Sequence, residues 1–173
     1  SALMFPRVLL EVGLVNPALL PGLILPLACA GAIYTAGAIF YYLLAAKTPT
    51  DTAEPLLKNP FELGPALRFA ALLVLILLLV EGARRWLGDA GIYMVSLVAG
   101  LTDVDAITLS LANNARDGLS HEVASRGIVF AVLSNSLVKA MLIAFIGGRE
   151  LAIRTLPIMF AGLLTALAVL LLR

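Results

Sequence analysis

The chain has 173 residues, of which 61% are hydrophobic and 13% charged, with a net charge of +1 and a mean hydropathy of +1.03. Soluble domains carry about 45–50% apolar residues, so this composition excludes a soluble fold and predicts an all-α, polytopic transmembrane helical bundle in the lipid bilayer. A net charge near zero carries no signal for nucleic acid, none being expected as a partner, and the single Cys29 excludes an internal disulfide or a thiolate metal cage, leaving a small packing residue in apolar surroundings.

The opening "SALMFPRVLLEVGLVNPALL" lacks the basic start and cleavage-type end of a secretory leader and reads as the interior of a helix. The expectation is that the chain is the C-terminal part of a longer protein. A helix needs about 20 apolar residues to cross the bilayer core. Apolar runs bounded by charge, Pro or Gly place about six spans, at 1–15, 18–45, 65–87, 92–112, 124–147 and 151–173. After the second span, "AAKTPTDTAEPLLKNPFELGP" reads as the one long polar loop. The links "RRWLGDAG", "NNARDGLSHE" and "GGRE" are short and force antiparallel neighbours. Alternating the loops puts Lys47, Lys58, Arg68, Arg116, Arg126 and Arg173 on one side and Arg84, Arg85, Arg149 and Arg154 on the other. The positive-inside rule then favours a cytoplasmic C-terminus and long loop.

A duplication is visible in outline. The helices of Arg7 and Lys139 each carry that basic residue in apolar surroundings, and each is followed by a P-x-x-x-A-G pattern, "PLACAG" from Pro26 and "PIMFAG" from Pro157. This predicts three parts: 1–45 as the second half of a first helical repeat, 46–64 as the polar loop, and 65–173 as a complete second repeat.

The residues that cost most in a membrane are Asp103 and Lys139, both near the middles of their spans. An acid or lysine at a helix centre costs about 2.5–3.5 kcal/mol on insertion scales and should face the bundle interior. Ser96, Gly100, Asp103, Ser110 and Asn114 share one helical stripe, interrupted by Ile107. Asp105 lies on the other side of that helix, stacked with Thr102 and Thr108, so both acids reach one site only if the backbone loosens near Gly100, as discontinuous helices do in transporters. In "SNSLVKAML", Ser134, Asn135, Ser136 and Lys139 offer hydroxyls, an amide and an ammonium to that site.

Two readings follow. One is an Asp103 to Lys139 salt bridge padded by Ser and Asn hydrogen bonds that glue helices together. The other is an ion path, in which carboxylates, hydroxyls and retained waters suit a hard cation such as magnesium. Lys139 opposes a cation unless it moves or loses its proton, so it reads equally as a proton-coupling switch or an anion contact. Arg7 and Glu11 are spaced to pair along one helix, His121 reads as a solvated loop residue, and Trp86 with Arg84 and Arg85 as an interfacial anchor. Most glycines read as points of close helix packing. "GLTD" has no second intramembrane aspartate on another helix to share a proton, and there is no Ser/His/Asp set, H-E-x-x-H or P-loop. No enzyme is expected.

"NPFELGPALRF", "GARRWLGDAGIYMVSLVAGLTDVDAITLSLAN", "VLSNSLVKAML" and the opening segment together resemble the bacterial domain of unknown function 4010 family, a C-terminal membrane domain that often follows an MgtC/SapB-type domain. The resemblance spans nearly all of the chain. It implies an earlier copy of the unit, opening with an "NP-x-EL"-like segment and carrying "GL-x-SSTA" where this copy has "GLTDVDA". A following "MF-x-R"-like element corresponds here to Met4, Phe5 and Arg7. Four spans per copy would make the repeats parallel. The association with MgtC-type proteins implies magnesium or another cation, a bacterial inner-membrane location, and an MgtC/SapB-type domain in the same longer chain.

The expected function is therefore a transporter or channel for a small ion, more a cation than an anion. Asp103 and Asp105 would be the ion contacts and metal ligands, Thr102, Thr108 and Ser110 would add oxygens, and Ser134, Asn135, Ser136 and Lys139 would form the facing wall. No cofactor is expected beyond a bound metal cation, and six spans enclose so little volume that a homo-oligomer fits. The competing expectation is a structural or regulatory membrane subunit whose Asp/Lys centre only fixes helix packing.

Overall fold

A computed structural model describes residues 2–45, 63–146 and 148–172, and every regular element in them is helical. Residues 46–62, which hold most of the expected polar loop, and Arg173 lie outside the described residues. Three stretches are long and apolar enough to cross a membrane, Pro17–Leu43, His121–Phe145 and Leu151–Leu171.

Helix α1 (Met4–Val15) ends where Asn16 leaves the helical region, at φ −147° and ψ 87°. The Asn16 side chain accepts from the Ala18 N–H at 3.3 Å, and Pro17 starts a short 3-10 turn that leads into α2 (Leu20–Ala45). The Asn16 amide also donates to the Ala112 carbonyl at 3.3 Å, so a buried corner is satisfied by a distant helix end. With 12 residues, α1 is about 18 Å long, short of the roughly 30 Å bilayer core. The span expected at 1–15 is thus a half-length helix.

Helix α3 (Leu63–Thr102) is two arms joined at Gly88, which sits at φ 60° and ψ −143°, a conformation closed to other residues without strain. The arms fold back on each other: Leu75, Ile76 and Leu79 line the same cleft as Met94, Val95, Val98, Ala99 and Thr102. This is the tight antiparallel link expected at "RRWLGDAG". The second arm does not continue to residue 112, as the sequence predicts, but stops at Thr102. Helix α4 (Val104–Asn114) begins again after Asp103, and α5 (His121–Ile146) and α6 (Gly148–Leu171) complete the bundle.

Helix α5 is the central post, packed against α2, α3, α4 and α6, while α1 packs on α2 and α4. Val8, Val12, Leu23, Leu27, Ile107, Leu111, Ile128, Val129 and Val132 are buried between them. Outward, Leu14, Trp86, Phe145, Leu164 and Leu172 are exposed, a surface of apolar side chains suited to lipid. Between helices surrounded by lipid there is little hydrophobic driving force, so close packing and interhelical hydrogen bonds hold the bundle. Gly100 supplies such a contact: a Cβ there would collide with the Ala131 backbone of α5.

Candidate functional site

The break between α3 and α4 follows from the residue placed there. Asp103 adopts an extended backbone, φ −151° and ψ 121°, and its side chain accepts the Asp105 N–H at 2.9 Å as the N-cap of α4. Asp105 falls in the first turn, where a negative charge meets the positive end of the helix dipole. The last turn of α3 closes with the Asp103 N–H on the Ala99 carbonyl at 2.9 Å, and the Thr102 hydroxyl donates to the same carbonyl at 3.0 Å. A break inside a membrane is tolerated only where freed backbone groups find partners or line a cavity. Helix α5 supplies one, the Asn135 amide donating to the Gly100 carbonyl at 3.0 Å, and Ser134 braces the turn before it by donating to the Leu97 carbonyl at 2.7 Å.

Beside the break lies a cavity of about 360 Å³. Its walls are Leu3, Met4 and Arg7 from α1, residues 102–105 at the two helix ends, and Asn135 and Lys139 from α5. Arg7 is held twice, by the Asp105 carboxylate and by Glu11 at 3.1 Å. Lys139 has no carboxylate partner among the described residues; its ammonium lies 3.5 Å from the Met4 thioether, a weak acceptor. The expected Asp103 to Lys139 bridge is therefore not formed. Breaking the helix turns Asp105 toward α1, where Arg7 takes it, while Asp103 spends one oxygen on its own cap. Asn135 is 8% exposed, and its Oδ1 has no hydrogen-bond partner, although its amide nitrogen is fixed on Gly100.

Of the nine residues expected to form the site, Thr102, Asp103, Asp105, Asn135 and Lys139 do line this cavity. Thr108 and Ser110 are buried further along α4, with hydroxyl oxygens that find no partner. Ser134 is taken up by the Leu97 carbonyl, and Ser136 is buried beside Tyr34. Thr102 and Asp105, expected to stack one turn apart, stand on separate helices because the break comes between them. Arg7, which its spacing pairs only with Glu11, is a further charge of the cavity; its match to Lys139 as a basic residue in apolar surroundings is the sequence signal for it. Among the described residues no group of three or more His, Cys, Asp or Glu side chains is close enough to hold a metal ion.

Fold and site together define a helical, membrane-type bundle with a charged cavity at a broken helix. Residues 1–147 match the family described as Domain of unknown function (DUF4010), and the chain belongs to it. It is 34% identical over 151 residues to a protein of Aquifex aeolicus (strain VF5) described as an uncharacterized protein. That match covers 87% of this chain and 66% of the relative, so the chain spans a little under two thirds of the relative's length. No solved structure matches the chain.

Proposed function

We propose that the protein is an integral membrane transporter or channel of the bacterial inner membrane, with the cavity at the α3–α4 break as its site for a small ion. The observation that carries this reading is the break itself: an apolar run interrupted at Asp103, with the ends of two helices and four charged side chains around one cavity. Half-helix ends at mid-membrane bind transported ions because their unpaired carbonyls and N–H groups carry partial charge. A purely structural pair would need only Arg7 and Asp105. Asp103, Lys139 and Asn135 Oδ1 keep open valences at the cavity, and polar groups are too costly in a membrane to be left so without use.

A cation would sit on the acceptor side, between Asp103, the last carbonyls of α3 and Asn135 Oδ1. At about 30 Å³ per water, the cavity has room on the order of ten waters, enough for a magnesium ion that keeps several of its own. An MgtC/SapB-type domain in the same longer chain and a homo-oligomeric assembly belong to this reading. The two bases on the lining, Arg7 and Lys139, balance the two acids and weigh against a bare divalent ion.

The test is the thermal midpoint of the purified protein across chloride salts of sodium, potassium and magnesium, compared with Asp103→Asn and Lys139→Met. Asn caps a helix as well as Asp, so Asp103→Asn removes the charge and keeps the break. A salt-specific rise in the wild type that Asp103→Asn abolishes supports the site, since a ligand of the native state must stabilise it. The competing structural reading is favoured by the Arg7, Asp105 and Glu11 cluster, which ties α1 to α4. No salt effect in the wild type, together with loss of folded protein in both variants, would decide for it.

A further inference from the structure

The geometry points to a zwitterion, a small solute carrying both an ammonium and a carboxylate, as the ligand of this cavity; the inference rests on the transport reading of the site and puts a zwitterion in place of the simple ion as its substrate. The charged groups around the cavity fall into two sets. Arg7 is bonded to both Asp105 and Glu11. Asp103 and Lys139 line the same cavity, carry opposite charges, and are not paired with each other or with any other ionised group among the described residues. Two opposite charges that line one cavity without pairing offer a ligand two separate poles.

Each pole has a second element. Asn135 also lines the cavity; its Oδ1 is buried without a partner, and its amide nitrogen is bonded to Gly100. The C-terminal carbonyls of α3 add partial negative charge there. On the donor side, the Lys139 ammonium has three donors, and the Met4 thioether, a weak acceptor, is 3.5 Å from it. A lone cation at Asp103 would meet the ammonium on the same lining, and a lone anion at Lys139 would meet the carboxylates there. A ligand that brings both charges satisfies both poles at once. The volume agrees, since about 360 Å³ is far more than a bare ion fills and lies in the range of small-molecule sites, roughly 300–1,000 Å³.

The experiment uses the purified full chain and reads thermal midpoint and calorimetric affinity. The probes are a panel of neutral L-amino acids and, for each that binds, its amide, which lacks the carboxylate, and its N-acetyl derivative, which lacks the ammonium. Sodium chloride, magnesium chloride and potassium phosphate without amino acid test whether a separate cation and anion serve instead. The expected result is that at least one amino acid raises the midpoint and that each single-charge analogue binds about 10- to 100-fold more weakly, as loss of a charged hydrogen bond implies. Asp103→Asn should weaken the amino acid and its amide, and Lys139→Met the amino acid and its N-acetyl derivative. The analogue series needs only the wild type, so a variant that fails to fold cannot hide the answer. Analogues that bind as well as the amino acid overturn the inference. So does a salt that stabilises the protein when no amino acid does, an outcome that leaves the ion-transport reading standing. Stabilisation by no probe overturns both.

Discussion

Arg7 illustrates how a single side chain can be misread from its neighbours along the chain. Its spacing to Glu11 predicts a pair within α1, and that pair exists at 3.1 Å. The bond that organises the site runs to Asp105, almost a hundred residues away, and no local pattern reports it. The Asp105 side chain is 12% exposed, so removing Arg7 leaves a buried carboxylate without its ion-pair partner. The Arg7 side chain is 64% exposed, so Arg7→Met is expected to destabilise the protein by about 1–3 kcal/mol, the range for losing a charged hydrogen bond. Arg7→Met combined with Asp105→Leu should recover a large part of that loss, because an apolar replacement of both partners removes the stranded charge. A double-mutant cycle measured by denaturant unfolding in detergent checks this. Equal losses in the single and double variants would show that Arg7 acts through packing and not through Asp105.

At the scale of the element, the outlines of the bundle were legible because lipid imposes them. Long apolar runs must be helices, and Gly, Pro and charge mark their ends, so the hairpin at Gly88 and the starts of α5 and α6 lie within a few residues of where the sequence places them. The break at Asp103 was legible only as a condition. The apolar pattern runs through residues 92–112 without interruption, and an aspartate there looks the same whether it sits mid-helix or caps a new one. What decides is tertiary: Asn135 and Ser134 of α5 supply donors to the carbonyls of the interrupted helix, and no sequence window contains both partners. The approach of α3 to α5 at Gly100 makes those bonds possible. Gly100→Ala would press a Cβ onto the Ala131 backbone, and backbone cannot yield as a side-chain tip can. It is expected to cost about 1–3 kcal/mol, as overpacking does, and to weaken ligand binding by separating Asn135 from Gly100. Gly82→Ala in the first arm of α3 meets nothing within 4 Å and should be neutral or slightly stabilising, since Ala is favoured over Gly by roughly 1 kcal/mol in a helix. Thermal midpoints of the two variants, measured side by side, test whether the Gly100 contact or general helix propensity matters.

For the whole molecule, the decisive property is where polarity is placed. The charges of the bundle's interior gather at one cavity between α1, the α3–α4 break and α5, where two half-length helices meet the central post. The outer face of α6 carries exposed Leu164 and Phe160 and is one of the three stretches apolar enough to cross a membrane. A bilayer makes these two regions opposite in tolerance. An acid in the cavity is stabilised by the cap and by nearby cations, whereas an acid on the lipid face at the middle of a span has no partner and costs about 2.5–3.5 kcal/mol to insert. Leu164 is 65% exposed, so in water Leu164→Asp would be a surface change of little consequence, within about 0.5 kcal/mol. In a membrane the same change should sharply reduce the amount of folded protein recovered from the membrane fraction, while Asp103→Asn leaves that amount near wild type. Membrane fractionation followed by size-exclusion chromatography in detergent separates the cases. If Leu164→Asp integrates and elutes as the wild type does, α6 does not face lipid, and its apolar surface must be covered by other protein.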